Sequence, residues 1–174
     1  VGTYVDDTTE TWVGKVTEKD LYNAAGTTAV NRYIWTVTVD GKADNTAVKG
    51  ADLDRNDTER WNNSGNGVLT EMFVDTVDER VYVSMVNTYL AEVTKVETND
   101  DEYVVTVNPL TQPVGTTIRR EFNSDISFEK DDVVLITAAA GDIKSMELPE
   151  TVSGTVSAVK DNDYLEMDGT TYNY

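Results

Sequence analysis

The sequence predicts an all-β protein built from tandem small units, and three observations support that prediction. Valine and threonine, both β-branched, each occur 25 times in 174 residues, and such side chains fit a pleated strand better than a helix. Runs of alternating apolar and polar residues recur along the chain. A short pattern is also repeated. We therefore expect curled sheets or partly open barrels of the SH3-like or OB-like type, with little helix.

The individual elements follow from the alternating runs and from the residues that bound them. The clearest predicted strands cover residues 33–39, 80–86, 103–107 and 132–136. Tight hairpin turns are predicted at Asp40-Gly41, Asn66-Gly67 and Asp168-Gly169, because glycine supplies the positive φ that such turns require. Two helices of one or two turns are expected, at residues 18–25 and 53–61.

A seven-residue pattern occurs three times, and it consists of Thr, two residues, a small residue, one residue, Val and a hydroxyl residue. The copies begin at Thr11, Thr88 and Thr151. Each is followed by a polar turn and a strand, at 33–39, 103–107 and 164–167, and residues 115–118 correspond to 169–172. The second half of the unit recurs as well, since residues 71–75 lead to 80–86 much as 132–136 lead to 143–148.

The repeat predicts the domain organisation. We expect a first β module at 11–87 with a polar insertion at 42–67, a second module at 88–149, and an incomplete third repeat at 150–174. Residues 1–10 are interpreted as the tail strand of a preceding unit. The chain begins at Val1, so we expect a processed product or a fragment of a longer protein. Residues 3–6 and 152–172 would then pair with a neighbouring module or another chain.

Composition excludes several classes of function. The chain holds neither histidine nor cysteine, which removes histidine-based nucleophile systems, thiol catalysis, cysteine-ligated metals and disulfides. Pairs of carboxylates could serve a glycosidase, but adjacent pairs are expected by chance among 32 acidic residues. We therefore predict that the protein is not an enzyme and assign no catalytic residue.

Charge and hydropathy restrict the partners. The net charge is −18 and the isoelectric point is near 4.1, whereas binding to nucleic acid needs clustered Lys and Arg. Apolar runs fall short of the roughly 20 residues that a membrane-crossing helix needs. We expect no nucleic-acid partner and no membrane insertion.

Two features together resemble a known family. One is the Thr-x-x-Gly-x-Val strand with a downstream Gly-Thr-Thr-Tyr strand, and the other is residues 128–136 followed by Gly141-Asp142-Ile143. They resemble the repetitive β-modules of bacterial surface-layer proteins, more narrowly the regions that accompany S-layer homology domains in large Gram-positive cell-surface proteins. The resemblance implies export to the cell wall or cell surface and a structural or adhesive role. Its partners would be neighbouring modules of the same protein or a surface lattice. An S-layer homology module itself does not occur in the sequence.

One acidic segment has the spacing of a calcium loop. Oxygen-bearing side chains alternate at Asp52, Asp54, Asn56 and Thr58, and a hard cation prefers several such oxygens close together. The segment departs from the calcium-loop pattern, because Asp57 replaces the expected glycine and Asn63 the expected acid. We favour a solvated loop and keep calcium as the alternative; no other cofactor is expected.

The insertion also holds an aromatic candidate for binding. Trp61, followed by Asn62 and Asn63, could contact a sugar or a host protein, or it could close one end of the module as a buried plug. We favour the plug. Trp12 and Trp35 lie in strand patterns and are expected in the core.

The function expected from the sequence is that of a non-catalytic structural or spacer module of an exported cell-surface protein. One alternative is an adhesin module that binds carbohydrate or a host protein through the 42–67 insertion, since loops on a rigid scaffold often bind ligands. The other alternative is a calcium-stabilised surface module.

Overall fold

The computed structural model describes residues 9–44, 53–61, 64–65, 67–99, 102–111, 118–160 and 164–173. Of these residues, 56% lie in strands and 11% in helix, which confirms the all-β class. The sheets are not closed into a barrel. In the part of the chain that is described, no helix has both the length and the apolar character needed to cross a membrane.

The elements are numbered in chain order. The helix is α1, Glu18–Arg32. The strands are β1 Thr9–Val13, β2 Ile34–Val39, β3 Lys42–Ala43, β4 Val68–Asp75, β5 Arg80–Asn99, β6 Glu102–Pro109, β7 Glu121–Ser124, β8 Val133–Ala139, β9 Asp142–Glu147, β10 Val156–Lys160, β11 Tyr164–Met167 and β12 Thr170–Asn173.

The first sheet has the strand order β1-β4-β5-β2-β3 and uses the first half of β5. Strand β2 runs parallel to β5, whereas the other neighbouring strands are antiparallel. Alternating side chains turn one face of the sheet toward α1 and the loop at 53–61. The buried core on this face contains Val16, Leu21, Val30, Val37, Leu53, Trp61, Met72, Val81, Val83 and Met85.

Helix α1 is longer than the sequence predicted. Thr17 caps it, since its side chain accepts a hydrogen bond from the Asp20 backbone N–H while the Asp20 carboxylate accepts one from the Thr17 backbone N–H. Gly26, with φ of 78°, interrupts the helix without ending it. Burial of Ala29 and Val30 against the sheet stabilises the second half. The second predicted helix, at 53–61, is wrong, because that segment forms turns and no helix.

The second sheet is built on the other half of β5. Strand β8 pairs with residues 88–92, and β6 pairs with residues 91–99, both antiparallel. Strands β7 and β9 lie at the two outer positions. The second core contains Ala91, Val93, Val105, Val107, Ile118, Phe128, Val134, Ile136, Ala138, Ile143 and Met146.

Strand β5 therefore passes without interruption from the first core into the second. It is 20 residues long and crosses the predicted boundary between residues 87 and 88. The predicted modules 11–87, 88–149 and 150–174 stay predictions.

The third sheet has the order β10-β11-β12, and its described strands pair with each other. The prediction that residues 152–172 also pair with a neighbouring module or another chain stays a prediction. Residues 3–6 lie outside the described part of the chain.

The second and third sheets share more than the repeated pattern. The β5–β6 ladder shifts register between Val93 and Lys95, and the β10–β11 ladder shifts at the equivalent place, between Val156 and Ala158. In both, the hydroxyl at the shift donates to the facing backbone carbonyl, from Thr94 to Thr106 at 3.0 Å and from Ser157 to Glu166 at 3.3 Å. The two units are thus built alike in detail.

The ladder also corrects one sequence correspondence. Val105 pairs with Phe122, and the equivalent Leu165 pairs with Tyr172, so β12 corresponds to β7. The predicted match of 169–172 with 115–118 is wrong, because the connection before β7 is longer than the two-residue turn before β12. Residues 115–117 themselves lie outside the described ranges.

Candidate functional site

The most highly organised polar cluster lies where the first and second cores meet. We call Asp40, Asn87, Tyr89 and Ala140 the junction cluster. Asp40 stands in the turn between β2 and β3, Asn87 and Tyr89 lie in the middle of β5, and Ala140 stands in the turn between β8 and β9. Three separate parts of the chain therefore converge at this point.

The Asp40 carboxylate is buried, with 7% of the residue exposed, and its hydrogen bonds are well satisfied. One oxygen accepts from the Asn87 backbone N–H at 2.9 Å. The other accepts from the Asn87 side-chain amide at 3.1 Å and from the Tyr89 hydroxyl at 2.6 Å. A buried carboxylate with this many donors is stable without a cation partner.

The Asp40 backbone extends the same connection. Its N–H donates to the Met85 carbonyl at 2.9 Å, and its carbonyl accepts from the Ala140 N–H at 2.8 Å. Asp40 therefore links β2, β5 and the β8–β9 turn through both backbone and side chain.

The electrostatic effect of this arrangement is clearest at Tyr89. Burial raises the pKa of the Tyr89 phenol well above its usual value, and the hydrogen bond and negative charge of Asp40 raise it further. The phenol thus stays protonated and donates to Asp40 at every physiological pH. The cluster has the character of a fixed structural joint, since the Tyr89 phenol keeps its proton near pH 7.

Gly41 shows how closely the two units approach here. A Cβ atom at Gly41 would lie 3.1 Å from the Ala139 Cβ and 3.2 Å from the Ala140 backbone nitrogen. Gly41 also has φ of 71°, a conformation that favours glycine. The predicted Asp40-Gly41 hairpin turn is confirmed, and its glycine also makes room for the second unit.

The predicted binding residues of the insertion lie elsewhere. Trp61 is 4% exposed and belongs to the first core, where its backbone N–H donates to the Val16 carbonyl at 2.7 Å. This placement is the one that the plug interpretation expects. Asn62 and Asn63 lie outside the described residues. The indole ring of Trp61 is not available as a surface platform in this conformation.

The calcium candidates are only partly described. The Asp54 carboxylate accepts from the Asn56 backbone N–H at 2.8 Å, an ordinary turn contact, and the Asp54 N–H donates to Glu18 at 2.7 Å. Thr58 contributes its backbone carbonyl to Lys15 at 2.8 Å, and Asp52 lies outside the described ranges. Within the described residues, acidic side chains do not form a group of three that could hold a metal ion. The calcium site stays a prediction.

A groove of about 250 Å³ lies on the face of the first sheet that α1 does not cover. Its lining combines hydroxyl groups, a carboxylate and aromatic rings, from Thr36, Thr38, Glu71, Phe73, Tyr82 and Ser84. The Phe73 and Tyr82 rings are neighbours, with centroids 6.3 Å apart and planes inclined by 25°. Such a surface can offer both hydrogen bonds and ring contacts to a ligand.

No family model, no curated protein and no solved structure matches the chain. The resemblance to surface-layer modules therefore stays an expectation from sequence.

Sequence reasoning missed the junction cluster. The sequence predicts a turn at Asp40, but the pattern of apolar and polar residues around it does not show that another part of the chain would bury this turn. Tyr89, at the second position of a repeat copy, occupies the place that Trp12 has in the first copy. That equivalence was the one available signal that the residue has a packing role.

Proposed function

We propose that this chain is a rigid structural module of an exported cell-surface protein, in which consecutive β units are joined without a flexible linker. The observation that supports the proposal is the junction between the two cores. Strand β5 belongs to both cores, and the buried Asp40 carboxylate accepts hydrogen bonds from Asn87 and Tyr89 in the middle of that strand. A spacer must transmit orientation from one unit to the next. A continuous strand held by buried hydrogen bonds is suited to that task.

The electrostatic character of the chain supports the same proposal. A net charge of −18 keeps a crowded protein soluble and makes neighbouring copies repel each other. The ion pairs in the described part of the chain are solvent-exposed, so they contribute little to stability. Apolar packing and the junction hydrogen bonds thus carry most of the structural role.

The structural part of the proposal is tested by unfolding the chain in urea with two probes. Trp12, Trp35 and Trp61 all belong to or pack against the first core, so tryptophan fluorescence reports that core alone. Far-ultraviolet circular dichroism reports the strands of both. We expect coincident transitions, because the shared strand couples the two cores. Two separated transitions would contradict a rigid joint.

The location is tested on intact cells that produce the protein. An antibody raised against the chain is expected to label such cells without permeabilisation. Labelling that requires permeabilisation would contradict export. This result and the unfolding result are independent of each other, so each half of the proposal can fail alone.

Glycan binding is the second candidate, and the groove on the uncovered sheet face favours it. The Glu71 carboxylate, the Thr38 hydroxyl and the Tyr82 ring all line this groove, a combination suited to a sugar. A glycan array on the wild-type chain and on the double variant Glu71→Gln, Tyr82→Leu tests this candidate. Binding that the double variant loses supports it, whereas an absence of binding or equal binding by both proteins rejects it.

A further inference from the structure

The segment between the second and third sheets differs from the other loops in the described part of the chain. We call residues 148–155 the connector. They form no helix, strand, turn or bend, and all of them except Pro149 are exposed. Among the described residues, hydrogen bonds of the connector occur at Thr155 alone, whose N–H donates to the Asp168 carboxylate and whose carbonyl accepts from the Asp168 N–H, both at 3.1 Å. The backbone of residues 148–153 is therefore open to another molecule.

The longer loops in the described ranges are tied to the cores instead. The loop at 53–61 buries Leu53 and Trp61 in the first core, and the loop at 125–132 buries Phe128 in the second. A protease cuts a folded protein only where the backbone is released from such contacts, and the release costs free energy. The connector needs no release.

The side chains of the connector also offer something to bind. Leu148 is 58% exposed and Val152 is 63% exposed. In an extended segment alternate side chains share one side, so these two lie on the same side as Glu150. Pro149 favours an extended conformation of the residue before it, which lowers the entropy cost of binding as an extended strand. Two exposed apolar side chains on a pre-extended backbone are suited to the apolar subsites of an enzyme.

A cut in the connector would leave the rest of the fold intact. Of the described residues, neither the first nor the second core includes one from the third sheet. Strands β10, β11 and β12 pair with each other. A cut in the connector therefore divides no core and no sheet, whereas a cut in the loop at 53–61 or 125–132 would fall beside core residues.

We propose that residues 148–153 are a processing site, at which an endopeptidase separates the third sheet from the first two. The reaction is hydrolysis of one peptide bond. The C–N bond breaks, water supplies a hydroxyl group to the carbonyl carbon and a hydrogen to the nitrogen, and a new carboxyl group and a new amine form. The enzyme would bind the backbone as an extended strand and accept Leu148 and Val152 in apolar subsites. The inference does not rest on the proposed spacer role.

Access to the connector is tested with a glutamate-specific serine endopeptidase, added to the folded full chain. The chain has 13 glutamates, all within the described ranges, and four of them lie outside helix and strands: Glu59, Glu79, Glu129 and Glu150. The Glu59 and Glu129 N–H groups each donate to a carboxylate at 2.7 Å, and the Glu79 carbonyl accepts from the Ile34 N–H at 3.0 Å. These three residues are matched controls for Glu150.

We expect cleavage after Glu150 to be at least about tenfold faster than after any other glutamate, because no local unfolding has to precede it. Mass spectrometry of the intact products follows the appearance of fragments 1–150 and 151–174. The variant Glu150→Gln is expected to stay uncut over the same time. A first cut at another glutamate, or equal rates at Glu150 and Glu129, would overturn the proposal.

Recognition of the connector is tested on protein isolated from cells that produce it. Its amino termini are labelled and identified by mass spectrometry, and we expect a new terminus between residues 149 and 154. The double variant Leu148→Ser, Val152→Ser is expected to lose this terminus, although the glutamate-specific enzyme still cuts it after Glu150. A wild-type chain without the new terminus, or a double variant that keeps it, would contradict a processing site that is recognised through these side chains.

Discussion

At the scale of single residues, Asp40 decides how the two cores are joined. Its backbone adopts φ of 48°, its carboxylate is buried, and its donors come from the middle of β5. Asp168 has the same φ of 48° and also precedes a glycine in a two-residue turn, but it is exposed. The same Asp-Gly turn sequence thus lies buried at the junction in one place and exposed on the surface in the other.

Asp40 and Asp168 provide a matched test. Asp40→Asn keeps the turn conformation but replaces one of the two accepting carboxylate oxygens by an NH2 group, which cannot accept a hydrogen bond. We expect a loss of about 1–3 kcal/mol of unfolding free energy, the cost of unsatisfied buried donors. Asp168→Asn is expected to change stability by less than about 0.5 kcal/mol, as surface substitutions do. Urea denaturation measures both, and equal effects would contradict the role assigned to Asp40.

Tyr89 gives the junction a dependence on alkaline pH. Its pKa in the folded chain is raised above the value of about 10 that the unfolded chain has, so its contribution to stability is complete below pH 10. The contribution is lost as the pH rises from 10 through the folded-state pKa, since unfolding then releases a proton.

The variant Tyr89→Phe tests this dependence. At pH 7 we expect it to cost about 1.5–2 kcal/mol, the lower part of the range for a hydrogen bond to a charged group, because Tyr89 is only partly buried. Above pH 10 the stability of the variant should fall less steeply than that of the wild type. Parallel pH profiles of the unfolding free energy would show that the phenol does not titrate as described.

At the scale of elements, the sequence predicted the positions of several strands well, but it did not predict the full length of β5. The alternating runs gave β2, β6 and β8 to within three residues at each end. The length of β5 could not be seen, because residues 87 and 88 are polar and resemble a break in the pattern. Asn87 is polar for a different reason, because its side-chain amide donates to the buried Asp40 carboxylate. Helix α1 was underestimated because packing, and not a regular apolar stripe, stabilises its second half.

The alignment of elements between units makes a prediction about Thr70. This residue of β4 is completely buried, and within the described part of the chain its hydroxyl has no hydrogen-bond partner. The equivalent residue in β8 is Ile136. Thr70→Val keeps the shape and removes the buried polar atom, so we expect it to stabilise the chain by about 1 kcal/mol. Thermal or urea unfolding measures this, and a destabilised variant would show that the hydroxyl has a partner.

At the scale of the whole molecule, the structure shows how the three sheets are connected, which the repeated pattern did not predict. The first and second units share one strand, whereas the second and third are connected by residues 148–155, which lie in no strand. Pro149 lies in that connection, and a proline cannot donate to a ladder. The two junctions therefore differ, although the repeated pattern is present at both.

The central claim, that the first two units form one rigid body, is tested most directly by a distance measurement between spin labels. The chain has no cysteine, so labels can be placed at will. One label at Lys19→Cys on α1 and one at Glu121→Cys on β7 span the junction, and a pair at Glu121→Cys and Lys130→Cys gives the width expected within one unit. We predict a single distance distribution across the junction as narrow as that reference. A broad or multimodal distribution, with the reference still narrow, would contradict the rigid joint.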